Sequence, residues 1–245
     1  RYGFAHSPGL VEKLRQTYRT TDRRIPWFVR AAAGVDEGAR GETQRLAEAN
    51  VLRQNTVVVH GTALGADDVR RLAEAGACVV WCPEIDERLF AAQPPVADLR
   101  AAGVPLALGS GSAGEGGRDF GTALRAARRT GLVTDEELLQ LATAGGSEVS
   151  RLPSGGPEEG AEADLLVVSS LDDLLAGSRA AVQLVIAGGR PLYGTRELLL
   201  PLEPGAALLE VDGAPRALVA PLLRRLRAWR PAAGRGPRWL EGVML

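Results

Sequence analysis

The stretch Asn55-Thr-Val-Val-Val-His60, with Gly61-Thr-Ala-Leu-Gly-Ala-Asp67-Asp68 after it and Cys78-Val-Val-Trp-Cys82 beyond, decides the fold class. Three consecutive valines between polar residues read as a strand buried on both faces, the habit of parallel sheets. Asp67 and Asp68 open a helix at its positive end, Val69, Leu72 and Ala73 give it an apolar face, and Gly76 supplies the stop. Strand, helix and strand in that order make a βα unit.

The cadence recurs one unit downstream. Pro95-Val-Ala-Asp-Leu-Arg-Ala-Ala102 reads as a helix, Gly103 ends it, and Val104-Pro-Leu-Ala-Leu-Gly109 is the next strand. The two helix-ending glycines, Gly76 and Gly103, are 27 residues apart, a spacing that suits a βα barrel or an open doubly wound sheet. Upstream, Tyr2-Gly-Phe-Ala-His6 and Ile25-Pro-Trp-Phe-Val-Arg30 read as strands around a helix from Leu10 to Tyr18. Five strands are too few to close an eight-stranded barrel. The expected fold class is α/β, a partial (β/α) barrel over residues 1–150. A small antiparallel β-sandwich portion, a basic helix and a tail follow over residues 151–245.

After Asp119 the character changes. Phe120 to Arg129 is an Arg-rich amphipathic helix, and Thr134-Asp-Glu-Glu137 starts another that runs to about Ala144. Ser154 to Glu162 reads as an exposed loop. Short strands follow at Asp164–Ser169, Val182–Ala187 and Gly188–Tyr193, with hairpin turns at Gly188-Gly189 and Asp212-Gly213. Ala220 to Trp229 reads as a second basic helix before a Pro/Gly/Arg tail.

A formal charge of −1 on 245 residues argues against nucleic acid as the main partner, and no apolar run is long enough for a membrane span. No basic-then-apolar leader is visible, so a cytoplasmic location is the default expectation. Two cysteines, Cys78 and Cys82, are too few for a disulfide framework and read as packing residues. The chain opens on Arg1 rather than Met, which reads as the downstream part of something longer. A missing N-terminal half, or a homo- or hetero-oligomeric neighbour, would then cover the open edge of the sheet.

Several phrases together resemble the C-terminal part of the amidohydrolase superfamily, in the branch of cytosine and guanine deaminases and chlorohydrolases. Val-Val-Val-His60-Gly-Thr resembles that family's sixth barrel strand, Val-Val-Trp-Cys82-Pro83 its seventh and Leu-Ala-Leu-Gly109-Ser110-Gly111 its eighth. Glu162-Ala-Asp164-Leu-Leu-Val-Val and Gly189-Arg-Pro-Leu-Tyr193-Gly resemble the return into its β-sandwich. The resemblance implies a hydrolase of carbon–nitrogen bonds that holds one or two divalent metals, zinc or iron. It implies a His-x-His pair on the first strand, a histidine on the fifth, an aspartate on the eighth and a catalytic glutamate. It also implies that the sixth-strand histidine, here His60, acts on substrate.

Those positions have changed. Arg30 stands where the resemblance puts the fifth-strand histidine, Ala33 where it puts the glutamate and Gly111 where it puts the aspartate. The chain has two histidines, His6 and His60, and no His-x-His pair. A guanidinium beside a metal cation in a partly desolvated pocket repels it strongly. The expectation is therefore a catalytically degenerate homologue with no metal cofactor, the competing reading being an aminohydrolase with an atypical site built on His60. His60 is the candidate catalytic residue, against a structural role at a strand end. Arg30 is the candidate for binding a carboxylate or phosphate of a small-molecule ligand, opposed by Glu84 or Asp86 in the loop after the seventh strand, against an internal ion pair. Ser110 belongs to a small polar loop with Gly111 and Ser112 that offers backbone N–H groups to an anion, against a permissive turn.

Overall fold

A computed structural model describes residues 2–6, 11–152, 157, 159–228 and 243–244. The chain divides into two compact units, one comprising Arg1–Gly111 with Ala126–Leu152, the other Ser112–Arg125 with Pro153–Leu245.

The first unit is built from βα units in the order the sequence suggests. Strands β1 (Gly3–Ala5), β2 (Trp27–Ala31), β3 (Thr56–His60), β4 (Cys78–Trp81) and β5 (Leu106–Leu108) form one parallel sheet in the order β1-β2-β3-β4-β5. Each strand lies beside its predecessor with no reversal, so the sheet has no switch point and is singly wound; the doubly wound alternative is overturned. Helix α1 (Val11–Arg19) links β1 to β2, and α2 (Glu37–Arg40) and α3 (Glu42–Glu48) link β2 to β3. Helix α4 (Ala66–Ala75) follows β3, and α5 (Pro83–Phe90) and α6 (Val96–Ala101) connect β4 to β5. Then come α7 (Phe120–Thr130), which crosses the 125/126 division, α8 (Asp135–Ala142) and α9 (Ala144–Ser150).

Sequence signals set the helix ends. Gly76 stops α4 in the left-handed conformation at φ 63°, and Thr134 and Glu137 close a capping box at the start of α8. The core joins one leucine from each of several helices, Leu14, Leu46, Leu72 and Leu99, to Trp27 and Trp81 of the sheet, all fully buried. Each such leucine contributes roughly 1.5–3 kcal/mol relative to exposure. A second apolar cluster lies on the sheet where Val57, Cys78 and Ala107 meet Val149 of α9, with Phe28 and Val80 packed against it.

Two local expectations are corrected. The strand expected to run to Cys82 ends at Trp81, and Glu84 and Asp86 sit in the first turn of α5 rather than in a loop. Pro83 is the reason: its fixed φ suits the first helical position, and acids in the turn after it complement the helix dipole.

The second unit holds a single antiparallel sheet of six strands where part of a β-sandwich was expected. They are β6 (Leu165–Val168), β7 (Val182–Ala187), β8 (Arg190–Gly194), β9 (Ala207–Val211), β10 (Ala214–Leu218) and β11 (Val243–Met244), in the order β11-β9-β10-β8-β7-β6. Helices α10 (Leu171–Leu175), α11 (Arg196–Leu199) and α12 (Ala220–Ala228) are interspersed. Both expected hairpins form, with positive φ at Gly188 and Gly189 and at Asp212 and Gly213. Within the expected loop, residues 154–156 and 158 lie outside the described residues, as does the expected tail from 229 to 242.

Helix α9 approaches the sheet closely only because Gly145 has no side chain: a Cβ there would lie 2.4 Å from the Leu106 carbonyl oxygen. Gly145→Ala is expected to destabilise the protein by about 2 kcal/mol. The readout is a lower urea midpoint at unchanged denaturant slope.

Candidate functional site

Three of the candidate residues, Arg30, His60 and Asp86, lie at the C-terminal ends of β2, β3 and β4. His60 is the last residue of β3 and pairs in register with Ala31 of β2; its backbone is held at φ 79°, a conformation costly for a residue with a Cβ. Its Nδ1 lies 2.6 Å from Asp86 Oδ1, and the two side chains are only 2% and 0% exposed. The other carboxylate oxygen of Asp86 accepts a hydrogen bond from the Cys82 backbone N–H at 3.2 Å. Phe90 closes the ring's other side edge-on, with centroids 6.2 Å apart. Burial pushes the Asp86 carboxyl above its ordinary range, opposed by the His60 hydrogen bond and charge, the Cys82 N–H and the Arg30 guanidinium.

Arg30 is therefore electrostatically coupled to Asp86. It sits on the half-buried face of β2 with Phe28, in register with Val59 of β3. Phe28 and Val59, with Tyr2, Phe4, Pro26 and Leu152, line an apolar hollow of about 560 Å³. Strand alternation thus puts Arg30 on the same face of β2 as Phe28, one of the residues that line this hollow.

The remaining candidates separate from this group. Glu84 is half-buried and lines a hollow of about 490 Å³ with Glu87, Arg88 and Arg129. Ser110 follows β5 in a half-buried turn, and the neighbouring Ser112 N–H is already taken by the Glu115 carboxylate at 3.1 Å. Gly111 has φ +67°, and a Cβ on it would fall 2.4 Å from Cγ1 of the fully buried Ile85. The two cysteines are buried and not joined in a disulfide; burial raises the Cys78 thiol to about 11.

Two contacts of the candidate site escaped sequence reasoning. One is the Cys82 N–H, a backbone donor no side-chain pattern reveals. The other is Glu42, at the start of α3, whose carboxylate accepts from the Ala32 N–H at 2.8 Å and is raised first by burial. Helix α3 thus carries a carboxylate back to the segment after β2 that includes Ala33. An acid in a helix's first turn was the available signal, and it is shared by many solvent-facing glutamates.

The raised Asp86 carboxyl makes a signed prediction. Between the ordinary carboxylate value and the raised one, the unfolded chain loses the proton while the folded chain keeps it, so stability falls as pH rises through that window. Asp86→Asn should flatten this slope at pH values above the ordinary carboxylate value of about 4. It should leave stability at the acid end within about 1 kcal/mol of wild type, because the amide oxygen can accept from the Cys82 N–H while the amide nitrogen donates to His60 Nδ1. Urea unfolding across that range reads both effects.

The amidohydrolase family profile matches residues 28–192. A 5-methylthioadenosine/S-adenosylhomocysteine deaminase of Halobacterium salinarum is 35% identical over 143 residues, which are 55% of this chain and 33% of the relative. One from Natronomonas pharaonis is 28% identical over 76% of this chain and 48% of its own. The chain thus spans about a third to a half of the length of these curated relatives. Among solved structures, an adenosine deaminase from Xanthomonas campestris with bound zinc superposes with TM-score 0.67 at 24% identity, covering 77% of this chain and 50% of that one. A mutant atrazine chlorohydrolase from Arthrobacter aurescens, complexed with zinc and atraton, gives 0.68 at 19%, covering 78% and 49%. These structural likenesses concern the fold alone. With the profile matching well over half of its residues, the chain belongs to the amidohydrolase family.

Proposed function

We propose that this chain is a catalytically degenerate amidohydrolase homologue that binds a small ring-bearing anion, with Arg30 in place of the metal-binding histidine. In this reading β1–β5 are the fourth to eighth strands of the family's barrel. The observation that carries it is the position of Arg30 on the face of β2 that it shares with Phe28, in register with Val59, the two residues through which β2 and β3 line the aromatic hollow.

The residues present do not fit a metal ion. Ile85 fills the space a side chain at Gly111 would need, so an aspartate there has no room without rearranging the core. His60 Nδ1 and both Asp86 oxygens are engaged. Among the described residues no group of three or more His, Cys, Asp or Glu converges as a ligand set. Arg30 instead has five N–H donors in a planar fork suited to a carboxylate, and the rings beside it suit the ligand's apolar body. We place the chain in the cytoplasm, a compartment that keeps thiols such as Cys78 and Cys82 reduced. Among the described residues no helix is long and apolar enough to cross a membrane.

A second reading, a hydrolase of carbon–nitrogen bonds with an atypical site, is favoured by the 2.6 Å His60–Asp86 contact, in which the carboxylate orients an imidazole as in a base–orienter pair. The nearby Glu42 carboxyl, raised by burial, would add an acid. The deaminase names of the relatives point the same way.

Calorimetric titration with aromatic carboxylates, alongside metal analysis and a deaminase and amidase substrate panel, separates the two. The proposal expects carboxylate binding that Arg30→Gln weakens about tenfold or more, with no stoichiometric metal and no turnover. Stoichiometric zinc or iron with turnover lost in His60→Ala would overturn it in favour of the hydrolase.

A further inference from the structure

At the opposite end of the parallel sheet, a polar hollow of about 460 Å³ opens at the N-terminal ends of β2, β3 and β4. Tyr18, Arg23, Asn50, Arg53, Gln54 and Asn55 line it. Asn55 is buried and fixes one wall: its Oδ1 accepts from the Tyr18 hydroxyl at 2.9 Å, and its Nδ2 donates to the Ile25 carbonyl at 3.3 Å. Arg53 donates to the Asn50 side chain across the opposite side.

A third guanidinium is anchored beside it. Arg151, capping the end of α9, donates from Nη1 to the Arg23 carbonyl at 3.1 Å and from Nη2 to the Gln54 carbonyl at 2.7 Å. These contacts bridge 128 and 97 residues of sequence and hold the charge in place. Arg23, Arg53 and Arg151 all act on the Tyr18 phenol, whose pKa burial raises and the three charges pull back. None of the three makes an ion pair with a carboxylate among the described residues. The α9 acid Glu148 acts with Arg151 on Cys78 but does not line the hollow.

Charge counting identifies what such a site takes. The C-terminal ends of α3 and α4 reach the hollow at Asn50 and Ala75, and each brings about half a negative charge. Arg23 and Arg53 line the hollow and Arg151 lies beside it with Glu148 as its neighbouring acid, so that after the helix ends are counted the surplus is about one positive charge. We propose that this hollow is an anion site for phosphate, free or as the head of a phosphomonoester. Arg23 and Arg53 would supply charge-assisted N–H donors, and Asn50 and Gln54 would face the body of an ester. The site lies at the other end of the strands from Arg30 and His60, so it acts as a separate binding site. It does not depend on whether the chain catalyses a reaction.

The test is thermal unfolding and calorimetry with inorganic phosphate and with glycerol phosphate, against chloride at matched ionic strength. The expected result is a phosphate-dependent rise in Tm absent with chloride. The Arg23→Ala/Arg53→Ala double variant should weaken binding tenfold or more, and Arg40→Ala, on α2, should leave it unchanged. Both substituted arginines are exposed, so an unaltered Tm without phosphate verifies folding. Tighter binding of the ester assigns Asn50 and Gln54 to its body, and equal binding assigns the phosphate alone; both support the site. No protection beyond chloride, or undiminished protection in the double variant, overturns it.

Discussion

The carboxyl group of Asp86 is the point on which the C-terminal end of the sheet turns. A buried acid has to satisfy two oxygens without water, and here the partners come from three successive parts of the fold: His60 from β3, the Cys82 N–H from the β4–α5 junction and the Arg30 charge from β2. The group orients the imidazole and accepts from the backbone N–H at the start of α5. Pro83 makes this possible by starting α5 immediately after the strand, which brings Asp86 back over His60 within one helical turn.

Much of this architecture was legible because it rests on local chemistry. The valine run of β3, the acids and glycine bounding α4, and the turns at Gly188-Gly189 and Asp212-Gly213 each specify backbone geometry through neighbours a few residues away. The junction after β4 was less legible: Cys82-Pro83-Glu84 fits a turn as well as a helix start, so Asp86 was read as a loop residue. Its pairing with His60 spans 26 positions, and no local signal sets such a distance. The same holds for Glu42, whose bond to the Ala32 N–H depends on where α3 comes to rest. Arg30 and Gly111 were singled out as substitutions by the family resemblance. That Ile85 occupies the space beside Gly111 is a packing fact visible only in three dimensions.

Charge is divided along the strands. At one end Arg30 lies near a buried acid, on the strand face it shares with Phe28; at the other, Arg23 and Arg53 line a polar hollow beside helix C-termini, with Arg151 next to it. Arginine at the first end is a partly desolvated partner whose geometry matters, and arginine at the second is a solvated concentration of charge. A near-neutral total conceals both arrangements.

The coupling of Arg30 to the His60–Asp86 pair is the central claim, and carboxyl-carbon NMR titration of Asp86 measures it directly. If the guanidinium stabilises the ionised carboxylate, Arg30→Gln moves the Asp86 titration further up the pH scale while the fold is retained. An Asp86 titration indistinguishable between the wild-type and Arg30→Gln proteins would contradict the account.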